Sequence, residues 1–190
     1  MCIRDSGPLN LLDMTSQIRV DSIVPTTGVP TGGGGGIVQV VQGTTQTQVT
    51  VSSSTYLDTT LEATITPFSA NSKIFVIINQ SFYLRNYEDH AGGGIRVVRN
   101  PGNNVVYIPR TNDNGPVEDY IHAQAVGFTG LLAHKTLTIL DSPTTTNPIT
   151  YKTQGAVFTI SDENQGNMYF QYSGGVSDPT SYITLMEVSA

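Results

Sequence analysis

From Ile37 onward the apolar residues recur at every second position, the spacing of strands with one buried face. Leu61, Ala63 and Ile65 alternate with Glu62, Thr64 and Thr66 before Pro67 ends the run, and Val49 and Val51 alternate with Gln48, Thr50 and Ser52. The segment KIFVIINQSFYL, Lys73–Leu84, is apolar on both faces in its first half and alternates afterwards, as expected of a central strand that emerges toward solvent. The same reading predicts strands over Ile37–Gln42, Gln48–Ser52, Leu61–Thr66, Ile95–Arg99, Val105–Ile108, Tyr120–Phe128, Leu131–Leu140, Thr150–Ile160, Met168–Tyr172 and Tyr182–Val188. Gly102-Asn103-Asn104 supplies a tight turn between two of them. No window carries a 3.6-residue apolar stripe with caps, so very little helix is expected. About ten short antiparallel strands in one core predict an all-β sandwich: a jelly roll first, an Ig-like sandwich second, the latter without its Cys and Trp markers.

Before Ile37 the pattern is different. Residues 1–13 read as a non-native leader, because Met1–Ser6 (MCIRDS) resembles a translated sequencing-adaptor fragment and Met14 is the better start. Leu9, Leu11 and Leu12 are too short an apolar run for a secretory signal. Residues 14–29 form an arm with Ile18, Val20, Ile23 and Val24 as its apolar positions and Pro25 as its stop. Residues 30–36 (PTGGGGG) are a glycine-rich hinge, and 37–190 are the head. The glycine run is not a phosphate-binding loop, since Pro30 precedes it and a strand, not a helix, follows.

Composition narrows the function. Charged residues make up only 13% of the 190 residues, so Thr, Ser, Asn and Gln must cover the surface, which suits outward strand positions. The net charge of -6, with scattered basic residues, provides no footprint for nucleic acid. The longest apolar run, Ile74–Ile78, is strand-sized, and no membrane insertion is expected. With Cys2 as the only cysteine, neither a disulfide framework nor a cysteine-ligated zinc site can form within the chain.

Candidate chemistry is sparse. His90, His122 and His134 show no metal-ligand spacing, and His122 and His134 read as ordinary sheet residues. His90 stands in the polar segment RNYEDHAGGG, expected to be a loop. The adjacent pairs Glu88-Asp89, Glu118-Asp119 and Asp162-Glu163 point in different directions and do not flank a glycosidic bond. Asp113-Asn114-Gly115 lacks the rest of a calcium loop and reads as a β-turn. No catalytic residue, metal site or cofactor is expected.

Phrases spread over the whole chain resemble a family of virion proteins of marine tailed bacteriophages, tail-fibre-like structural proteins. They are QIRVDSIVP with its glycine run, IVQVVQGTT, YLDTTLEATITPFSANSKIFVIINQS, LDSPTTTNPITYKTQ and the ending SYITLMEVSA. The resemblance implies a virion protein assembled in the host cytoplasm, with no enzymatic residues to transfer. A tail-fibre-type head is the first expectation. A capsid decoration or head-fibre protein is the alternative within the particle, and a carbohydrate-binding module or glycosidase the alternative outside it. The chain departs from the family phrases at Tyr83–Gly94 and Pro109–Glu118, which read as inserted loops. Arg85, Tyr87, His90, Tyr107, Arg110 and Asn112 are therefore the candidate contacts to a host-surface glycan.

Two strands carry apolar residues on both faces, and one sandwich core cannot hide both sets. Tyr182 and Met186, with Tyr120, Val126 and Phe128, are accordingly the candidate interface of a homotrimer, to which the arm would join other virion proteins.

Overall fold

The computed structural model describes residues 36–86, 90–112, 115–122, 129–158, 166–175 and 179–189, among which there is no helix. The expected leader, the arm, and the hinge apart from Gly36 lie outside the described residues. In chain order the strands are β1 (Ile37–Thr45), β2 (Val49–Val51), β3 (Leu57–Ile65), β4 (Lys73–Asn86), β5 (His90–Asn100), β6 (Asn104–Tyr107), β7 (Thr111–Asn112), β8 (Gly115–Pro116), β9 (Asp119–His122), β10 (Thr129–Asp141), β11 (Ile149–Phe158), β12 (Asn167–Phe170) and β13 (Ser181–Val188). Each predicted strand has a counterpart among the described residues, except that residues 123–128 of the predicted Tyr120–Phe128 lie outside them. The short β7–β8 pair frames the Asp113-Asn114-Gly115 segment that the sequence marked as a turn.

The pairing is that of a jelly roll. Take the eight principal strands in chain order as β1, β3, β4, β5, β6, β10, β11 and β13. The first pairs with the last, the second with the seventh, the third with the sixth and the fourth with the fifth, all antiparallel. The chain is thus one long ribbon, folded back at the turn 101–103, where Gly102 and Asn103 have positive φ angles. The ribbon is then rolled up, so that β13 also meets β4 and β11 also meets β5. Two sheets result: sheet A in the order β1-β13-β4-β10, with β12 and β2 extending it, and sheet B in the order β3-β11-β5-β6, with β9 beside β5. In an Ig-like sandwich the first and last strands lie in different sheets; here β1 and β13 are neighbours, which excludes the second expectation.

Between the sheets lies a core in which Ile74, Val76, Ile78, Phe82 and Leu84 of β4 face Leu61, Ile95, Val97, Tyr151 and Val157 of sheet B. Complete burial of each such side chain is worth about 1.5–3 kcal/mol. The inner face of β4 stays buried as far as Leu84, so the strand does not emerge into solvent as its sequence suggested. Gln80 interrupts the apolar line, and its amide nitrogen donates to the Thr59 hydroxyl at 2.7 Å; Thr59 in turn shares a 2.5 Å hydrogen bond with Thr153. The amide nitrogen of Gln80 is thereby satisfied, while its Oε1 is buried without a hydrogen-bond partner among the described residues.

One expectation is corrected. The segment Tyr83–Gly94, read as an inserted loop, is strand at both ends: its first four residues finish β4, and His90–Gly94 begin β5. Each glycine there makes room for a neighbour: a Cβ on Gly92 would press on Phe158 and Tyr120, one on Gly93 on the Met168 sulfur, and one on Gly94 on Pro109 and Pro116. The glycines signal close packing rather than a flexible link.

Edge strand β10 is held to sheet B by two polar latches. Asp141 accepts from Arg99 and, at 2.7 Å, from the Tyr151 hydroxyl. Lys135 reaches Glu118 at 2.9 Å and Asp119 at 3.1 Å.

Candidate functional site

The outer face of sheet A carries several exposed apolar side chains. Along β13, Ser181, Ile183, Leu185 and Glu187 are buried, which turns Tyr182, Thr184, Met186 and Val188 outward. Register then decides what stands beside them. Val40 of β1 is opposite Met186, Met186 is opposite Phe75 of β4, and Phe75 is opposite Leu140 of β10, so four apolar side chains form one row across all four strands. Val40 and Leu140 are each 56% exposed, while Met186 and Phe75 are half-buried. Ile77 continues the row along β4, whereas Tyr182 of β13 stands opposite Asn79, separated from Met186 by Thr184.

The next rows are polar but internally bonded: Gln42 donates to Thr184 at 3.0 Å, Asn79 to Thr136 at 3.3 Å, and a ring nitrogen of His134 lies 2.9 Å from the Asn79 carbonyl. Farther along, Tyr83, Tyr169 and Tyr172 stack with centroids 4.6 to 6.0 Å apart, near Leu132, which is 63% exposed.

The expected interface residues do not form one surface. Tyr182 and Met186 share the outer face of sheet A. Tyr120 lies on the outer face of sheet B, packed edge-on against Phe158 across Gly92, because β9 pairs with β5 and not with β13. Val126 and Phe128 lie outside the described residues.

The expected glycan contacts are likewise separated. Arg85 is half-buried on sheet A, opposite Asn167 of β12. Tyr107 is on sheet B, where its hydroxyl donates to both oxygens of Glu118 at 2.7 and 2.8 Å. Burial, then the hydrogen bond and charge of Glu118, push its phenol far above the ordinary tyrosine range. Arg110 is exposed, and its carbonyl accepts from Val117 at 2.9 Å. Tyr87 and the side chains of His90 and Asn112 lie outside the described residues, though the His90 backbone pairs with His122.

Of the three adjacent carboxylate pairs, Glu118-Asp119 is the one described in full, and both of its members hold Lys135. Burial raises the Asp119 carboxyl, and the charge of Lys135 only partly offsets this. Among the described residues no three His, Cys, Asp or Glu side chains come together as a metal site.

The outer face of sheet B bears an ordered polar rail. Lys152 and Gln154 of β11 donate to the two oxygens of Asp58, each at 2.6 Å, and the Arg96 Nε donates to Gln154 at 2.8 Å. The Arg96 guanidinium stands 4.1 Å above the Tyr56 ring. Burial on its own raises the Asp58 carboxyl, but the hydrogen bonds from Lys152 and Gln154 and the charges of Lys152 and Arg96 outweigh it and hold the group below the usual carboxylate range. Beside the rail is a trough of about 300 Å³ lined by Asp58, Thr60, Leu61, Glu62, Lys152 and Thr153. Sequence reasoning missed this site, since nothing in the period-2 pattern of β3 marks the irregular pairing beside it. No family model and no curated protein matches the chain.

Proposed function

We propose that the chain is a non-enzymatic structural subunit of a bacteriophage particle: the jelly-roll head of a tail-fibre-type appendage, assembled as a homotrimer, with contact to the host surface as its second task. The resemblance of the quoted phrases to tail-fibre-like proteins supports the virion role. The observation that carries the assembly is the in-register row Val40, Met186, Phe75 and Leu140, with Ile77 beside it and Tyr182 two rows farther along β13. Contiguous apolar surface of this kind marks contact with another chain. A cyclic arrangement of three copies would cover each row and would gather three arms, residues 14–29, into one stalk that joins other virion proteins.

Cryo-electron microscopy of intact particles tests the reading. The expected result is threefold density for the head on a tail appendage. Particles that lack the chain would overturn the virion role, and density on the capsid would overturn the tail assignment.

A further inference from the structure

The trough on sheet B lies beside an irregularity in the pairing of β3 with β11. Along β3 and β11 the register runs regularly from Ile65/Ile149 to Glu62/Lys152 and resumes at Asp58/Gln154. Three residues of β3, Thr59 to Leu61, thus stand against Thr153 alone. Thr59 and Leu61 turn inward and are fully buried, whereas Thr60 between them is exposed and has φ +66°. A β-branched residue in the left-handed region is a strained conformation, of the kind found at ligand sites. Thr60 is held there by hydroxyl contacts to Thr45 at 3.0 Å and to the Thr47 carbonyl at 3.5 Å.

The groups around the trough are set before any ligand arrives. Asp58 is fixed by Lys152 and Gln154, and Gln154 by Arg96, so that little side-chain entropy would be lost on binding. The lining holds two carboxylates, Asp58 and Glu62, and one ammonium, Lys152, which is already paired with Asp58. An anion would meet the two carboxylates, and a cation the fixed Lys152 ammonium. A neutral ligand rich in hydroxyls meets neither penalty, and it can use the remaining Lys152 N–H donors, the Glu62 carboxylate and the Thr60 hydroxyl together. The volume is at the lower end for small-molecule sites, the scale of one or two sugar rings.

We infer that this trough, and not the segments that depart from the family phrases, is a binding site for a neutral saccharide. The inference rests on the preceding reading only for the source of that saccharide, a host-surface glycan. A trimer would present three such sites, and weak single-site binding would be strengthened by multivalency.

The test is saturation-transfer NMR on the purified full chain. The probes are maltotriose, cellotriose and mannotriose as neutral ligands, with sialyllactose and a chitosan trimer as charged ones. Two variants accompany it. Lys152→Met breaks the rail, and Thr60→Gly removes the hydroxyl while placing glycine where the backbone already suits it, so the fold is kept. We expect transfer to at least one neutral trisaccharide, with affinity falling about three- to tenfold in Thr60→Gly and at least as much in Lys152→Met. Transfer to the charged probes alone, transfer to none, or a neutral signal that Thr60→Gly leaves unchanged would overturn the inference. Because the experiment uses the isolated chain, its failure would not touch the virion assignment, which is tested on particles.

Discussion

Gly94 offers a stringent test of how the Pro109–Pro116 segment sits on sheet B. A Cβ at this position would lie 2.9 Å from Pro109 Cγ, 2.9 Å from Pro116 Cβ and 3.0 Å from Pro109 Cβ. Comfortable carbon–carbon separations are about 3.5–4.0 Å, so Gly94→Ala falls short by roughly 0.5–1 Å on two sides at once. Proline rings cannot swing aside as a flexible side chain would. Overpacking of this kind costs about 1–3 kcal/mol. Against it stands the reduced entropy of the unfolded chain when glycine is replaced, worth about 0.4–1 kcal/mol. The packing effect is the larger, and the net loss should be about 1–2 kcal/mol. For a domain of this size that lowers Tm by roughly 2–8 °C, measurable by calorimetry. Pro116→Gly, which removes the contacting Cβ, should return part of the loss in the same chain, giving a coupling of more than about 0.5 kcal/mol in a double-mutant cycle. A neutral or stabilising Gly94→Ala, or strictly additive effects, would show that the two prolines do not clamp this strand.

Three further outcomes follow from the geometry. Met186→Asp places a charge in the centre of the apolar row while leaving the core side of β13 untouched; it should weaken self-association roughly a hundredfold with little change in the fold, as read by sedimentation and circular dichroism, and a wild-type chain that is already monomeric at micromolar concentration would refute the interface. Asp141→Ala leaves Arg99 and Tyr151 without their shared acceptor, and because the ion pair is partly exposed its loss should cost about 1–3 kcal/mol in urea denaturation; an unchanged midpoint would mean that the latch does not hold β10. The folded pKa of Asp58 lies below its ordinary value of 3.8, so the stability it contributes is present above that value and is lost as the pH falls through the folded one. Melting curves of Asp58→Asn should therefore show a shallower loss of Tm below about pH 4 than the wild type, and parallel acid limbs would count against the rail.

The alternation of apolar residues was enough to find the strands and their inward faces, because side chains on a strand must point in opposite directions whatever the strand pairs with. Leu61, Ala63 and Ile65, or Val49 and Val51, carry that information locally. The both-sided apolar character of Lys73–Leu84 likewise marked β4 as central. Partners in space were not legible. Val40 and Leu140 are exposed residues of no local distinction until register sets them beside Met186 and Phe75. Tyr120 read as part of the same interface until pairing with β5 put it on the opposite sheet. The Gly92–Gly94 run was read as part of a loop because the segment around it is polar and departs from the family phrases, whereas here each glycine is needed by a neighbour distant in sequence: Phe158, Met168 or Pro109. The Thr60 irregularity has the same origin, since it exists only relative to β11. Periodicity is a property of one segment, set by the backbone of that segment alone. Register, close approach and the trough are properties of two segments at once, and only the rolled ribbon brings those segments together.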